Sequence, residues 1–230
     1  PVVLVTGASR GIGRAICESL ATDSVQLVMV ARDGPALEAL AEELHARGAA
    51  KPMVAAIDLA DTDAIAALFK EVFSRFGRLD GLVNNAGVLH EGLLGMIRGE
   101  DIDRVLAVNV KAPLMTMQYA ARMMARAQRG SIVNLVSIMG VNGAAGLSVY
   151  AASKAAQIGL ARSWAAELVT RGVTVNVVAP GAVDTPMLRD PERGAPPRTA
   201  LPIGRLIEPS EVAATIAFLI GPEAGAITGQ

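Results

Sequence analysis

Val2-Val3-Leu4-Val5-Thr6-Gly7-Ala8-Ser9-Arg10-Gly11-Ile12-Gly13 lies at the start of the chain and decides the reading of its fold. The apolar run Val2–Val5 reads as a short buried strand, and an amphipathic stretch over 12–21 reads as the helix after it. Between them, Gly7 lets the chain turn off the strand. Gly11 and Gly13 leave room for a pyrophosphate to approach the backbone and for helix to pack on sheet. A helix starting here offers unpaired N–H groups and a partial positive charge to an anion. The spacing is G-x-x-x-G-x-G, not the G-x-G-x-x-G of the general dinucleotide fingerprint. A glycine cluster alone also fits a tight turn with no ligand, and its place between strand and helix favours a dinucleotide.

Outward from this stretch the pattern repeats. Spacing predicts strands over 25–30, 53–57, 82–83, 131–136 and 174–179. It predicts helices over 35–47, 62–76, 101–127, 149–170 and 210–219, the last with Ser210 as N-cap. Strand and helix in alternation imply βαβ units, hence an α/β chain with a single-domain doubly wound Rossmann fold over 1–230. Its parallel sheet is flanked by helices on both faces. Such a sheet explains a chain that is 52% hydrophobic and only 19% charged, because its strands are buried on both sides. Segment 184–202 is rich in Pro, Arg and Gly without a period, and loops of that length are usually lids or disordered. The chain ends at Thr228-Gly229-Gln230 and lacks an initiator Met, so a further C-terminal strand is expected beyond it.

Composition narrows the function. No run of roughly 18 apolar residues offers a membrane span, and the N-terminus shows no signal-peptide pattern. The net charge is −1 with scattered Lys and Arg, which gives no nucleic-acid footprint. The single cysteine, Cys17, fits a reducing compartment, cytoplasmic or mitochondrial, and its apolar surroundings predict a packed thiol. His45 and His90 lie far apart without ligand company, so no metal site is read.

At the end of the second strand stands Ala31-Arg32-Asp33. An acidic residue there would bind the ribose 2′-OH of NAD, whereas a guanidinium pairs with a 2′-phosphate. Arg32, with Arg10 from the glycine loop, therefore favours NADPH, and an Asp33 carboxylate turned to the ribose would favour NADH. Further on, Tyr150 and Lys154 are four apart at the start of a helix and project from one face. Carbonyl reduction needs a proton donor as hydride arrives. A nearby ammonium and a helix N-terminus both favour the phenolate, so the pair is a sensible acid/base device.

The chain resembles the short-chain dehydrogenase/reductase family. The carrying motifs are Thr6-Gly7-x-x-x-Gly11-Ile12-Gly13, Asn84-Asn85-Ala86-Gly87, Asn109, Ser137, Tyr150-x-x-x-Lys154 and Pro180-Gly181, in the family's order. Leu201-Pro202-Ile203-Gly204-Arg205 and Ile227-Thr228-Gly229 extend the likeness over nearly the whole chain. The resemblance implies Tyr150 as general acid and Lys154 as the group that holds the nicotinamide ribose and lowers the tyrosine's pKa. It implies Ser137 on the substrate oxygen and Asn109 holding a water in a proton relay. Read singly, Ser137 is also a strand-end cap and Asn109 a satisfied buried amide. The resemblance places Ser9 in the glycine loop against NADP(H), Asp58 near adenine, and Asn85, Ala86 and Gly87 along the adenosine ribose. Asp58 could equally cap the helix near Thr62. Pro180, Gly181 and Thr185 would meet the nicotinamide, under a lid formed by 184–202.

Within the family, Gly92-Leu93-Leu94, Glu100-Asp101, Val108-Asn109-Val110-Lys111 and Asn176-Val177-Val178-Ala179-Pro180-Gly181 resemble 3-oxoacyl-[acyl-carrier-protein] reductases. That likeness implies a β-keto thioester substrate in fatty acid biosynthesis, with acyl carrier protein as partner. Arg126, Arg129 and Arg171 are candidates for docking it, and equally complement helix dipoles. Other carbonyl or alcohol substrates (polyol, steroid, quinone) and a non-catalytic NADPH sensor are the alternatives. The family resemblance also implies a homotetramer through helices 101–127 and 149–170. There Ala155, Ala156, Ala161 and Ala165 suit either a helix partner or the sheet.

Overall fold

The structure is a computed structural model and describes residues 1–189 and 201–230. Strand β1, Val2–Thr6, is buried at every position, as a strand covered on both faces must be. Its neighbours are β2 (Gln26–Ala31), β3 (Met53–Ala56), β4 (Gly81–Asn84), β5 (Gly130–Leu135) and β6 (Val173–Val178). They form one six-stranded sheet in the order β3-β2-β1-β4-β5-β6, all pairs parallel. The order reverses between β1 and β4, and a doubly wound sheet opens its ligand crevice at that point, outside the carboxyl ends of the strands.

Side-chain alternation divides the core into two layers. Val3, Val5, Leu27 and Met29 face one, with α1 (Gly11–Leu20), α2 (Gly34–Ala46) and α8 (Pro209–Ile220). Val2, Leu4, Val28 and Val30 face the other, with α3 (Thr62–Phe76), α5 (Ala112–Ala127) and α7 (Ser148–Leu168). Two buried layers account for the apolar composition. Gly81 keeps one of them thin, because a Cβ there would lie 3.1 Å from Val3 Cγ1 and 3.2 Å from Ile220 Cγ2. Cys17 is fully buried in the first layer, and burial raises its thiol pKa, which makes it a packing group. On α7, Ala161 and Ala165 pack into the core while Ala155 and Ala156 are exposed, so only the second pair is left for another partner.

The helix ends follow their local chemistry. Asp33 accepts from Ala36 N at 3.1 Å and caps α2. Asp61 accepts from Asp63 N and Ala64 N and caps α3, which Gly77 ends in the left-handed region at φ 66°. Asp58 is therefore not that cap. Helix α8 begins one residue earlier than expected: Glu208 is its N-cap, in a capping box with Glu211, and Ser210 lies inside the first turn.

The continuous helix expected over 101–127 is two helices, α4 (Gly99–Leu106) and α5, joined by a π turn, Ala107–Lys111. Ala112 N donates to Ala107 O, one residue beyond the α-helical partner. Pro113 brings no N–H to this junction, which disturbs the α-helical ladder there. The structure adds a short helix, α6 (Met139–Asn142), between β5 and α7. At the chain's end, Gly229 N donates to Val175 O and Val177 N to Gln230 O, so these residues lie along the outer edge of β6. Among the described residues no helix is long and apolar enough to cross a membrane.

Candidate active site

The crevice between β1 and β4 is built around Thr6. Its hydroxyl accepts from Asn85 N and Ala86 N, both at 3.0 Å, and donates to Val83 O at 3.3 Å. Asn85 Nδ2 donates in return to Thr6 O at 2.8 Å and Gly7 O at 3.1 Å. The loops after β1 and β4 are thereby fixed to each other. The Asn85 side chain shapes the glycine loop, and Ala86 and Gly87 follow it toward the site.

That loop has the form an extended anionic group requires. A Cβ on Gly13 would lie 2.0 Å from Gly7 O and 2.5 Å from Asn85 Nδ2. A Cβ added at Gly7, at φ 67°, would lie 2.7 Å from Asn85 Nδ2, and one added at Gly11, at φ 55°, 3.4 Å from Thr185 Cγ2. Among the described residues no side-chain cap closes the start of α1, so its first-turn N–H groups, from Gly11, Ile12 and Gly13 beside Ser9, are open to an outside acceptor. A pyrophosphate at a helix N-terminus is the group these features fit.

Arg10 and Arg32 are exposed, and among the described residues neither has an ion pair. Asp33 is engaged as the cap of α2, so the carboxylate that would have favoured NADH is held by the helix. Asp58 accepts from Ala60 N at 2.9 Å and from Arg104 Nη1 at 3.1 Å. Burial opposes its charged form, but these bonds and the nearby Arg104 and Arg32 cations hold its pKa below the usual carboxylate value. Arg32 and Asp58 thus stand close together at the β2–β3 end of the crevice.

The other end of the site collects Ser137, Tyr150 and Lys154. Ser137 follows β5, and its Oγ accepts from Met139 N at 3.2 Å, the strand-end cap. The Ser137 hydroxyl is also a neighbour of the Tyr150 phenol and favours its ionised form. Lys154 is buried, its Nζ donates to Leu135 O at 2.8 Å, and it lies 5.8 Å from the Tyr150 ring centre. Burial lowers its pKa to about 8. Burial raises the Tyr150 phenol above its usual value, and the neighbouring Ser137 hydroxyl opposes that rise. In the chain by itself, then, desolvation of the phenol outweighs any help from its neighbours.

Asn109 sits in the π turn with no exposure. Its Oδ1 accepts from Val88 N, and its Nδ2 donates to Val88 O and to Ser153 Oγ, at 2.8, 2.8 and 3.0 Å. Ser153 Oγ donates to Tyr150 O at 2.7 Å. A Cβ on Gly87 would lie 3.3 Å from Lys154 Nζ and 3.4 Å from Asn109 Oδ1, so the β4 loop touches both. Ile138 N donates to Pro180 O at 3.1 Å and ties the Ser137 loop to Pro180-Gly181. Beyond it, Leu188 N and Arg189 N both donate to Thr185 O. Residues 190–200, most of the expected lid, lie outside the described residues.

The structure thus brings the glycine loop, the β4 loop, Asn109, Ser137, Tyr150, Lys154, Pro180 and Thr185 around one crevice. Sequence reading missed the linking residues. Thr6 stood in the glycine-loop motif, but its bonds to the β4 loop were not read from it. Ser153 lies inside the Tyr–Lys motif, and Gln157, whose Nε2 donates to Asn109 O at 2.6 Å, is a polar residue on the inward face of α7.

Comparison with known proteins agrees with this arrangement. The family model described as short chain dehydrogenase matches residues 1–195. A 3-oxoacyl-[acyl-carrier-protein] reductase of Staphylococcus aureus is 42% identical, with 99% of this chain and 93% of the relative covered. The Escherichia coli protein of that name is 36% identical over 100% and 93%. A short chain dehydrogenase from Burkholderia cenocepacia, solved in complex with NADP, superposes with a TM-score of 0.90 at 38% identity, covering 99% of this chain and 93% of that one. With the glycine loop, the switch-point crevice and the Tyr–Lys helix in place, these likenesses show that the chain belongs to the short-chain dehydrogenase family, oxidoreductases acting on an alcohol or a ketone.

Proposed function

We propose that the protein reduces a 3-oxoacyl thioester, bound to acyl carrier protein or coenzyme A, to the 3-hydroxyacyl thioester with NADPH. The observation that carries the chemistry is the grouping of Ser137 and Tyr150 with a buried Lys154, whose Nζ lies 5.8 Å from the phenol ring centre. The substrate class comes from the relatives, which are named for that reaction.

NADP(H) is the cofactor, and when bound its reduced form supplies the hydride to the substrate's C3 carbonyl carbon. Gly7, Ser9, Arg10, Gly11, Ile12 and Gly13 would hold its pyrophosphate and phosphate end, with Arg32 and Arg10 on the 2′-phosphate. Asp58, Asn85, Ala86 and Gly87 would line the adenosine, and Pro180, Gly181 and Thr185 the nicotinamide. Ser137 hydrogen-bonds the substrate carbonyl oxygen, and Tyr150 donates its phenolic proton to that oxygen, leaving a phenolate. Burial holds Tyr150 protonated in the resting chain, the state a proton donor needs at neutral pH. The Lys154 ammonium beside the ring stabilises the phenolate as it forms and hydrogen-bonds the cofactor's ribose. Asn109 fixes the β4 loop against Tyr150 and Lys154 through Val88 and Ser153, and in this reading the same turn holds the water that returns the proton. The protein works as a homotetramer, with the exposed Ala155 and Ala156 of α7 available to a partner helix.

The test is NADPH oxidation with an acetoacetyl thioester, with NADH in parallel. Turnover with NADPH is expected, and Tyr150→Phe is expected to lower it by about 100-fold or more while NADPH still binds. Binding without turnover on this substrate would remove the β-ketoacyl reading, and an undiminished Tyr150→Phe rate would remove the mechanism.

A further inference from the structure

Gln157 stands outside the residues assigned above. It lies three positions after Lys154 on α7, one turn along the same face, and its relative exposure is 1%. Its Nε2 donates to the main-chain oxygen of Asn109 at 2.6 Å. In an α-helix that oxygen would take the N–H four residues on, but residue 113 is proline and has none. Gln157 therefore gives that oxygen a side-chain donor from a different helix.

The amide's orientation is fixed by the same bond. Turned over, it would set two oxygens 2.6 Å apart. Its Oε1 must then point elsewhere, and it is buried with no hydrogen-bond partner among the described residues. A buried amide oxygen without a donor costs about 1–3 kcal/mol, so a polar group held there needs a reason. Leu or Met would fill similar space on this face at no such cost. The position is one where polarity has a use, between the turn that carries Asn109 and the helix that carries Lys154.

We propose that Gln157 is a positioning residue for proton transfer. Its Nε2 holds the Asn109 turn against α7. Its Oε1 accepts from a buried water on the route by which Lys154 regains a proton after Tyr150 has given one up. No bond other than O–H and N–H bonds is made or broken on this route. The inference rests on the reductase reading for its reaction, but the tie between Gln157 and the turn can be measured without substrate.

The experiment compares Gln157→Met and Gln157→Glu with the parent enzyme. Methionine keeps the volume and removes both polar arms. Its kcat is expected to fall about 10- to 100-fold, with KM and the Kd for NADPH within about twofold of the parent. The solvent deuterium isotope effect on kcat is expected to rise. A neutral glutamic acid keeps a donor for Asn109 O and an acceptor, and burial favours that neutral form, so at about pH 6 it should restore most of the lost kcat. Amide hydrogen exchange over 107–111, measured without substrate, is expected to be at least about tenfold faster in Gln157→Met. If the parent reduces no 3-oxoacyl thioester, the substrate reading falls, and the exchange rates alone decide whether Gln157 holds the turn. A methionine variant with parental kcat and parental exchange overturns the proposal. So does one whose NADPH affinity falls in step with kcat, which would mark a general structural role.

Discussion

Lys154 shows at the scale of one residue how a site is built against stability. It is buried, donates to one carbonyl, and burial alone draws its pKa from 10.5 to about 8. Below pH 8 both folded and unfolded chains carry its proton, and the folded one bears the full desolvation cost, up to about 3 kcal/mol. Between pH 8 and 10.5 the folded chain has released the proton and the unfolded one has not, so this cost fades as pH rises. Lys154→Met is therefore expected to stabilise the cofactor-free protein at pH 7 and to lose that advantage toward pH 10.5. Denaturant melts at both ends check it, and a less stable methionine variant at pH 7 would contradict it. At the far end of the crevice, Arg32→Glu is expected to shift the kcat/KM preference from NADPH toward NADH by about 10- to 100-fold. An unchanged preference would take Arg32 out of phosphate recognition. Tyr150, Lys154, Arg32 and the glycines stand out in the sequence as candidates because each is a residue type whose chemistry is local. Gln157 and Ser153 were not, because their partners come from other elements or from the backbone.

Elements set where those residues can stand. The glycine loop is tight because Gly13 approaches the carbonyl of Gly7 and Asn85 bridges β1 and β4. Gly13→Ala is expected to cost about 3 kcal/mol or more and to abolish NADPH binding, since backbone cannot step aside as a side chain can. Gly48, at φ 96° with nothing within 4 Å of an added Cβ, gives the contrast. Gly48→Ala should cost only its backbone strain, about 1–2 kcal/mol, and leave NADPH binding intact. Thermal melts with cofactor titration of the two variants separate a crowded glycine from a merely strained one. Periodicity located every strand and the helices that flank the sheet. It failed at junctions, where the outcome depends on which of two groups captures a backbone N–H or C=O. Glu208 and Glu211 cap α8 reciprocally ahead of Ser210, and a proline at 113 accompanies a π turn in a helix that reads as continuous.

For the whole molecule, the open question is what meets its surface. Arg126, Arg129 and Arg171 are exposed, and Arg129 also faces Asp80 at 3.5 Å. If they receive an acidic carrier protein, reversing Arg129 and Arg171 to Glu should lower kcat/KM for the carrier-bound substrate by about 10-fold. The rate with a small thioester, which makes no such contact, should stay the same, and equal rates for both substrates would remove the docking role. The sequence by itself determined the α/β class and the sheet's parallel nature, and it offered Tyr150, Lys154 and the glycine loop as candidates for the site. These follow from apolar period and from motifs a few residues long. Only the tertiary structure decided the strand order β3-β2-β1-β4-β5-β6 and hence the crevice between β1 and β4. It alone showed that Asp33 belongs to a helix cap, that Asn85 holds the glycine loop, and that Asn109 is bound from two sides. The physical reason is range: period and spacing record what a residue does to its near neighbours in the chain. Hydrogen bonds between residues 44 to 79 positions apart exist only once the sheet has brought them together.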